Sequence, residues 1–175
     1  ERFTYNFENN LKYGQVDNEG QGVRKTDDQI LIRNAFELKM TDISSLVANI
    51  NFQSQFAPGY TFDADGRTKI SDAFAPAYLN ENFGYALMPN KKFKAEIGAG
   101  LKQTIVTIDG LATSYGVDEG ENFRLEAGFN IGLHYNSEIM ENVTLTSSFE
   151  SFSNVLVSLS STDFIFRNEL VGSVN

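Results

Sequence analysis

The chain has 175 residues, a length suited to one domain of ordinary size, and 41% of its residues are hydrophobic, which argues against disorder. The net charge of −9 disfavours a nucleic-acid partner, and the absence of cysteine excludes disulfide frameworks and thiolate metal sites. No run approaches the roughly 18 apolar residues of a transmembrane helix.

Apolar and polar residues alternate along eight segments of the sequence, and this period of two predicts β-strands with one apolar and one polar face. The clearest segment is "FRLEAGFNIGLHY", which alternates without a break from Phe123 to Tyr135. In chain order the predicted strands lie near Phe3–Tyr13, Gln29–Lys39, Ser45–Phe56, Ala77–Leu87, Phe93–Ile105, Phe123–Tyr135, Val143–Phe152 and Asp163–Val174. We predict no helix longer than one turn.

The connections between the predicted strands alternate between long and short. The short ones are Met40–Ser44, Met88–Lys91 and Ser137–Asn142, and the long ones are Val16–Asp28, Ala57–Ala73, Asp109–Glu121 and Ser153–Asp163. The long connections together carry a net charge of −8. Short turns at one end and long loops at the other are typical of outer-membrane barrels. The sequence therefore predicts an all-β fold, an antiparallel up-and-down meander of about eight strands that forms a complete or partial transmembrane β-barrel.

Alternation alone does not say which face lies inside. In a soluble ligand-binding barrel the apolar side chains line the interior, whereas in a membrane barrel they face the lipid. The membrane alternative is favoured by strands of about ten to thirteen residues, by a polar face rich in glycine and paired charges, and by aromatic residues near the short-turn end. These aromatic residues are Phe3, Tyr5, Phe36, Tyr85, Phe93 and Tyr135.

Five segments carry a resemblance to a known family. They are "LKYGQ" from Leu11, "RKTDDQI" from Arg24, "NFQSQFAPGY" from Asn51, "FAPAYL" from Phe74 and "IMENVTLTS" from Ile139. The chain resembles an uncharacterised outer-membrane β-barrel family of Bacteroidota, a domain-of-unknown-function family. This resemblance implies an outer-membrane location in a Gram-negative bacterium, and it implies that residues 1–175 form one barrel domain from a longer chain. It implies no mechanism.

Ionisable side chains on the polar faces of the fifth and sixth predicted strands form a candidate lumen network. They are Lys94, Glu96, Lys102, Arg124, Glu126 and His134. Counting from the loop that joins the two strands, Lys102 and Glu126 lie at similar depth. We therefore predict that these two side chains contact each other across the strands.

His134 is the only histidine, and as a catalytic base it would need a nucleophile and an acid within reach. Ser148 and Glu126 are the candidates, which makes a lipid-acting outer-membrane enzyme one alternative. The sequence contains no nucleophile motif of the G-x-S-x-G type, and we predict no catalytic residue.

Two acidic loop clusters are candidates for calcium, and neither fits a calcium-binding motif. They are Asp63 with Asp65, and Asp118 with Glu119 and Glu121. The twelfth position counted from Asp63 is Phe74, where a calcium loop requires glutamate, and solvated turns are the favoured explanation of both clusters. We predict no metal site and no cofactor.

The segment "RKTDD" places Arg24 and Lys25 beside Asp27 and Asp28 at the junction of a long connection and a strand. Such a group of charges can fix the base of a loop or contact a partner. It can also be a local salt-bridge network of little consequence.

These observations predict an outer-membrane β-barrel protein without catalytic activity, with a structural, partner-binding or narrow-channel role. Its expected partners are outer-membrane lipid and other outer-membrane proteins. If eight strands close on themselves, side chains fill the barrel, whereas additional strands would leave a narrow channel. A soluble ligand-binding β-barrel with an apolar interior is the first alternative, and the lipid-acting enzyme is the second.

Overall fold

The structure is a computed structural model and describes residues 2–18, 22–63, 66–158 and 161–173. The strands are β1 (Phe3–Asn18), β2 (Gly22–Thr41), β3 (Ser44–Ser54), β4 (Gly59–Asp63), β5 (Gly66–Ser71), β6 (Ala77–Asn90), β7 (Phe93–Ile105), β8 (Phe123–Met140), β9 (Val143–Asn154) and β10 (Thr162–Gly172). A 3-10 helix spans Asp109–Tyr115 between β7 and β8. No helix in these described ranges is long and apolar enough to cross a membrane.

Eight of the strands form one antiparallel sheet in the order β1-β2-β3-β6-β7-β8-β9-β10. Each strand of this sheet pairs with its neighbours along the chain, and the hairpin β4–β5 is an insertion between β3 and β6. The sheet is an open half-barrel, since β1 and β10 each pair on one side only within the described residues. The predicted all-β up-and-down meander is therefore confirmed as a partial barrel.

The structure corrects the predicted long connections. Within Val16–Asp28, β1 and β2 continue as a two-stranded ribbon of mainly polar residues. Because apolar and polar residues do not alternate there, the sequence does not predict these parts of the strands. The connection Ala57–Ala73 contains the hairpin β4–β5. The prediction of no helix longer than one turn is wrong, because the 3-10 helix in Asp109–Glu121 has seven residues, slightly more than two turns. The predicted eighth strand ends at Gly172, and Val174 lies outside the described residues.

The register gives the sheet one apolar and one polar face. On β8, Phe129 and Ile131 belong to the apolar face, while Asn130 between them belongs to the polar face. The polar face is concave, since residues of six strands from β3 to β10 line a single concavity of about 680 Å³. In addition, Nζ of Lys102 on β7 lies 3.0 Å from Oδ2 of Asp163 on β10, across the two intervening strands. Such a contact requires strong curvature towards the polar face.

The opposite face, called the outward face below, is mainly apolar, and none of the described residues forms a layer against it. Phe83 and Ile97 near its centre are each 61% exposed, and Phe129 is 59% exposed. A hydrophobic core cluster does occur, but it lies in the connections and not behind the sheet. Its buried members are Ala75, Val106, Leu111, Ala112 and Val117.

A pair of glycines lets β6 and β7 approach closely on the concave face. Gly84 and Gly98 are register partners. A Cβ atom added at Gly98 would lie 2.5 Å from the carbonyl oxygen of Phe83 and 2.9 Å from Cα of Gly84. These contacts are with backbone, which cannot move aside, so this part of the curved sheet requires residues without a side chain.

Candidate functional site: the polar concave face

The concave face is the candidate site because it collects the polar side chains of most strands. Asparagines form its centre: Asn51 pairs with Asn80 and Asn49 pairs with Asn82 across β3 and β6, and Asn130 lies on β8. Each asparagine offers both hydrogen-bond donors and acceptors. The resulting surface can bind water and small polar solutes, whether these offer hydrogen-bond donors or acceptors.

The charges of the concave face are arranged as opposite pairs. Arg33 Nη1 lies 3.0 Å from Glu8 Oε2, Arg124 Nη2 lies 2.7 Å from Glu126 Oε1, and Arg167 Nη1 lies 3.0 Å from Glu150 Oε1. Lys94 pairs with Glu96, and Lys102 pairs with Asp163. The face is therefore close to neutral, although the chain as a whole is acidic. Most of these pairs are partly exposed, so each contributes about 1 kcal/mol or less to stability.

All six residues of the predicted lumen network lie on the concave face, but the two ion pairs among them, Lys94 with Glu96 and Arg124 with Glu126, are separate and do not form one network. The register that places Lys102 opposite Glu126 is confirmed. The predicted contact between their side chains is wrong. Lys102 extends over the ring of Phe152, with Nζ 3.9 Å from the ring centroid, to reach Asp163. Glu126 instead binds Arg124 and accepts a hydrogen bond from Asn154.

His134 does not form a catalytic triad with the predicted partners. Ser148 is its direct register partner on β9, yet no hydrogen bond joins the two side chains in the part of the chain that the structure describes. Glu126 lies eight residues away along β8, roughly 27 Å at the rise of an extended strand. A hydrolytic mechanism would need a nucleophile, base and acid joined by hydrogen bonds.

The acidic loop clusters do not converge on a cation site. Asp63 is the last residue of β4, and Asp65 lies outside the described residues. Asp118, Glu119 and Glu121 follow the 3-10 helix in a turn where the N–H of Glu121 donates to the carbonyl of Asp118. Among the residues that the structure describes, no three histidine or acidic side chains are grouped so that they could hold a metal ion.

The segment "RKTDD" fixes the base of the loop that follows β3. The Asp28 carboxylate accepts hydrogen bonds from the N–H groups of Phe56 and Ala57, at 2.8 and 2.9 Å. Lys25 Nζ lies 2.8 Å from Asp28 Oδ2 and also donates to the carbonyl of Ala57. Of the two interpretations of this segment, the structure therefore supports a fixed loop base. These contacts join two of the segments that carry the family resemblance, "RKTDDQI" and "NFQSQFAPGY".

The pKa of Asp28 reflects this surrounding. Burial of the side chain, which is 2% exposed, opposes ionisation. The hydrogen bonds from Lys25, Phe56 and Ala57 favour the charged form more strongly, and they hold the pKa of Asp28 below its usual value.

We expect acid to weaken this loop base. A depressed pKa in the folded state stabilises the protein above the unfolded pKa of about 3.9, and this stabilisation is lost as the pH falls through the folded pKa. At neutral pH, Asp28→Asn should therefore lower the free energy of unfolding by about 1 kcal/mol, because asparagine offers one acceptor oxygen and no charge. The difference should vanish well below pH 4 in urea unfolding of both proteins at a series of pH values.

Asp27→Asn is the matched control for this prediction. Asp27 is exposed and makes no ion pair with the described residues. Its replacement should leave the unfolding midpoint nearly unchanged at every pH. A penalty for Asp28→Asn that stayed constant from pH 7 to pH 3 would show that the charge of Asp28 contributes nothing.

The sequence analysis did not single out three polar residues that lie on the apolar face of the sheet. Glu81 and Gln103 both belong to the outward face, and Gln103 Nε2 donates to Glu81 Oε2 at 3.0 Å. Asn34 also lies on this face, where it accepts a hydrogen bond from the Tyr5 hydroxyl. The signal was present as interruptions of otherwise regular apolar runs.

Comparison with known proteins adds a partial family match. Residues 1–60, about a third of the chain, match the model of a family described as a protein of unknown function (DUF3078). No match was found among curated proteins or among solved structures. The match supports the expected similarity to a domain-of-unknown-function family. The matched stretch includes β1 to β3 and both halves of the loop base around Asp28.

Proposed function

We propose that this chain belongs to a non-catalytic β-barrel protein of the bacterial outer membrane, and that its concave face forms the wall of an aqueous interior. The observation that carries this proposal is the inverted distribution of side chains. The outward face is mainly apolar and exposed, whereas asparagines and ion pairs predominate on the concave face. Soluble monomers rarely expose more than a few hundred Å² of contiguous apolar surface, and membrane barrels are built with this inversion.

The dimensions of the sheet fit a bilayer. The sheet strands have 11 to 20 residues, so each is long enough to span a bilayer, for which a tilted strand needs about 9–11 residues. Several aromatic residues on the outward face lie towards the short-turn end, among them Tyr5 and Phe36, which stack with ring centroids 4.9 Å apart. Aromatic girdles of this kind occur at the membrane interface of barrels.

The proposed function also requires the two open edges of the sheet to be paired in the membrane. In the bilayer core an unpaired backbone N–H or C=O has no hydrogen-bond partner, so spanning sheets are closed. In the membrane, the free sides of β1 and β10 must therefore pair with each other or with further strands. Closure by eight strands gives a filled, structural barrel, and closure by more strands gives a narrow channel lined by the concave face.

The two alternatives have less support. A soluble barrel for an apolar ligand needs an apolar concavity, whereas the concavity here is lined by residues such as Asn80, Asn82 and Glu96. A lipid-acting enzyme needs a nucleophile and a base joined by a hydrogen bond, whereas no such bond joins Ser148 and His134 among the described residues.

Flotation with lipid vesicles tests the proposed function. The protein is refolded in the presence of vesicles, extracted with alkaline carbonate and centrifuged through a density gradient. We expect it to float with the lipid after extraction and to show heat-modifiable migration on gels. Recovery as a monodisperse monomer in detergent-free buffer, with none in the lipid fraction, would contradict the proposal.

A further inference from the structure

The outward face contains a groove of about 500 Å³ that the proposed function does not explain. Its floor is formed by Ala48, Ala99 and Ala127, and Phe83 and Phe129 rise on either side of Ala99. The row Ala48, Phe83, Ala99, Phe129 alternates small and large side chains across neighbouring strands. This alternation makes a depression in a surface that would otherwise be evenly covered, and its volume lies within the roughly 300–1,000 Å³ of small-molecule sites.

Glu81 places a carboxylate in this apolar groove. Its register partners are Ile50 on β3 and Leu101 on β7, both apolar. Gln103 donates one hydrogen bond to it, at 3.0 Å. In the part of the chain that the structure describes, no lysine or arginine forms an ion pair with Glu81, and no second hydrogen bond reaches its carboxylate.

A carboxylate inside the apolar band is costly unless a partner compensates it, and such residues generally mark a functional site. Gln103 supplies a neutral donor and leaves the negative charge uncompensated. The missing partner is therefore a positively charged donor that arrives from the lipid side, because the groove opens on the outward face. The apolar floor and walls require the remainder of that molecule to be a hydrocarbon chain.

We propose that this groove binds one lipid with an ammonium head group, whose ammonium contacts Glu81 and whose acyl chain lies over the alanine floor. The inference rests on the proposed function, since it requires the outward face to meet lipid. It names a specific site within that face. A charge-assisted hydrogen bond from ammonium to carboxylate, made where water is scarce, is stronger than its counterpart in water.

The test compares the retention of two lipids that differ in the head group. The protein is inserted into nanodiscs that contain equal amounts of phosphatidylethanolamine and phosphatidylglycerol, released into mild detergent and analysed by native mass spectrometry. We expect phosphatidylethanolamine to be retained preferentially. Glu81→Gln should reduce this retention roughly tenfold, the effect of one lost charge-assisted contact. Ala99→Leu, which fills the floor of the groove, should reduce it as well.

Glu96→Gln is the control, because it removes a carboxylate from the concave face at no cost to the groove. Its lipid retention should equal that of the unchanged protein. Equal retention of both lipids, or retention unaffected by Glu81→Gln, would overturn the inference while membrane insertion itself stood. Failure of the unchanged protein and of all its variants to enter nanodiscs would overturn the proposed function and the lipid site with it.

Discussion

Ile131→Arg should lower the stability of the membrane-inserted protein by about 2–4 kcal/mol, the cost of arginine near the middle of the lipid-facing surface of a barrel. Ile131 lies on the outward face of β8, is 45% exposed and pairs with Ile97 on β7. Its replacement would place a guanidinium group among apolar neighbours. The measurement is the urea midpoint for loss of the heat-modifiable form in lipid vesicles.

Asn130→Arg is the matched control for this change. Asn130 is the preceding residue on the same strand, and it faces the concavity together with Glu96, Glu150 and Asp163. Its Oδ1 has no hydrogen-bond partner among the described residues, so its removal breaks no bond at that atom. An arginine here meets carboxylates and water, and we expect a midpoint close to that of the unchanged protein. Equal losses in the two variants would mean that the two faces of β8 do not meet different surroundings.

Gly98→Ala should destabilise the sheet by about 1–3 kcal/mol, the range for an atom forced into a closely packed site. The added Cβ would lie 2.5 Å from the Phe83 carbonyl oxygen, so β6 and β7 would have to separate at this position. Because the contact is with backbone, no change of rotamer relieves it. Unfolding in urea measures the effect.

Gly132→Ala provides the comparison within the same face. A Cβ added at Gly132 meets nothing closer than His134 Nε2 at 3.5 Å, which is ordinary van der Waals contact. Alanine should therefore be tolerated there, with a change within about 0.5 kcal/mol. If Gly132→Ala proved as costly as Gly98→Ala, the loss would come from glycine flexibility and not from close approach of the strands.

The strands of the sheet could be predicted from the sequence because each depends on a local pattern. The alternation from Phe123 to Tyr135 sets the faces of β8, and the depth count from the loop was sufficient to pair Lys102 with Glu126. The extension of β1 and β2 beyond the apolar band could not be found in this way. It is held by backbone pairing between polar residues such as Gln15 and Lys25, which resemble a loop in sequence.

The contacts of the site depend on curvature, which alternation does not encode. The partner of Lys102 is Asp163, 61 residues away and three strands along the sheet, and only bending of the whole sheet brings the two together. The loop base also depends on a contact between distant parts of the chain, because Asp28 on β2 meets Phe56 and Ala57 in the loop that follows β3. The sequence does contain a signal for the position of Glu81 on the outward face, because this residue interrupts the apolar positions between Leu79 and Phe83.

Quenching of single tryptophans by brominated lipid tests the central claim most directly, namely that the apolar face meets lipid and the concave face meets water. The chain contains no tryptophan, so Phe129→Trp and Ile165→Trp each introduce one probe without background. Phe129 lies on the outward face of β8, and Ile165 lies on β10 with its register partner Glu150 on the concave face. In vesicles of lipid brominated along the acyl chain, we expect strong quenching at position 129 and little at position 165, with the order reversed for aqueous acrylamide. Equal quenching of both probes by the brominated lipid, or stronger quenching at 165, would contradict the account.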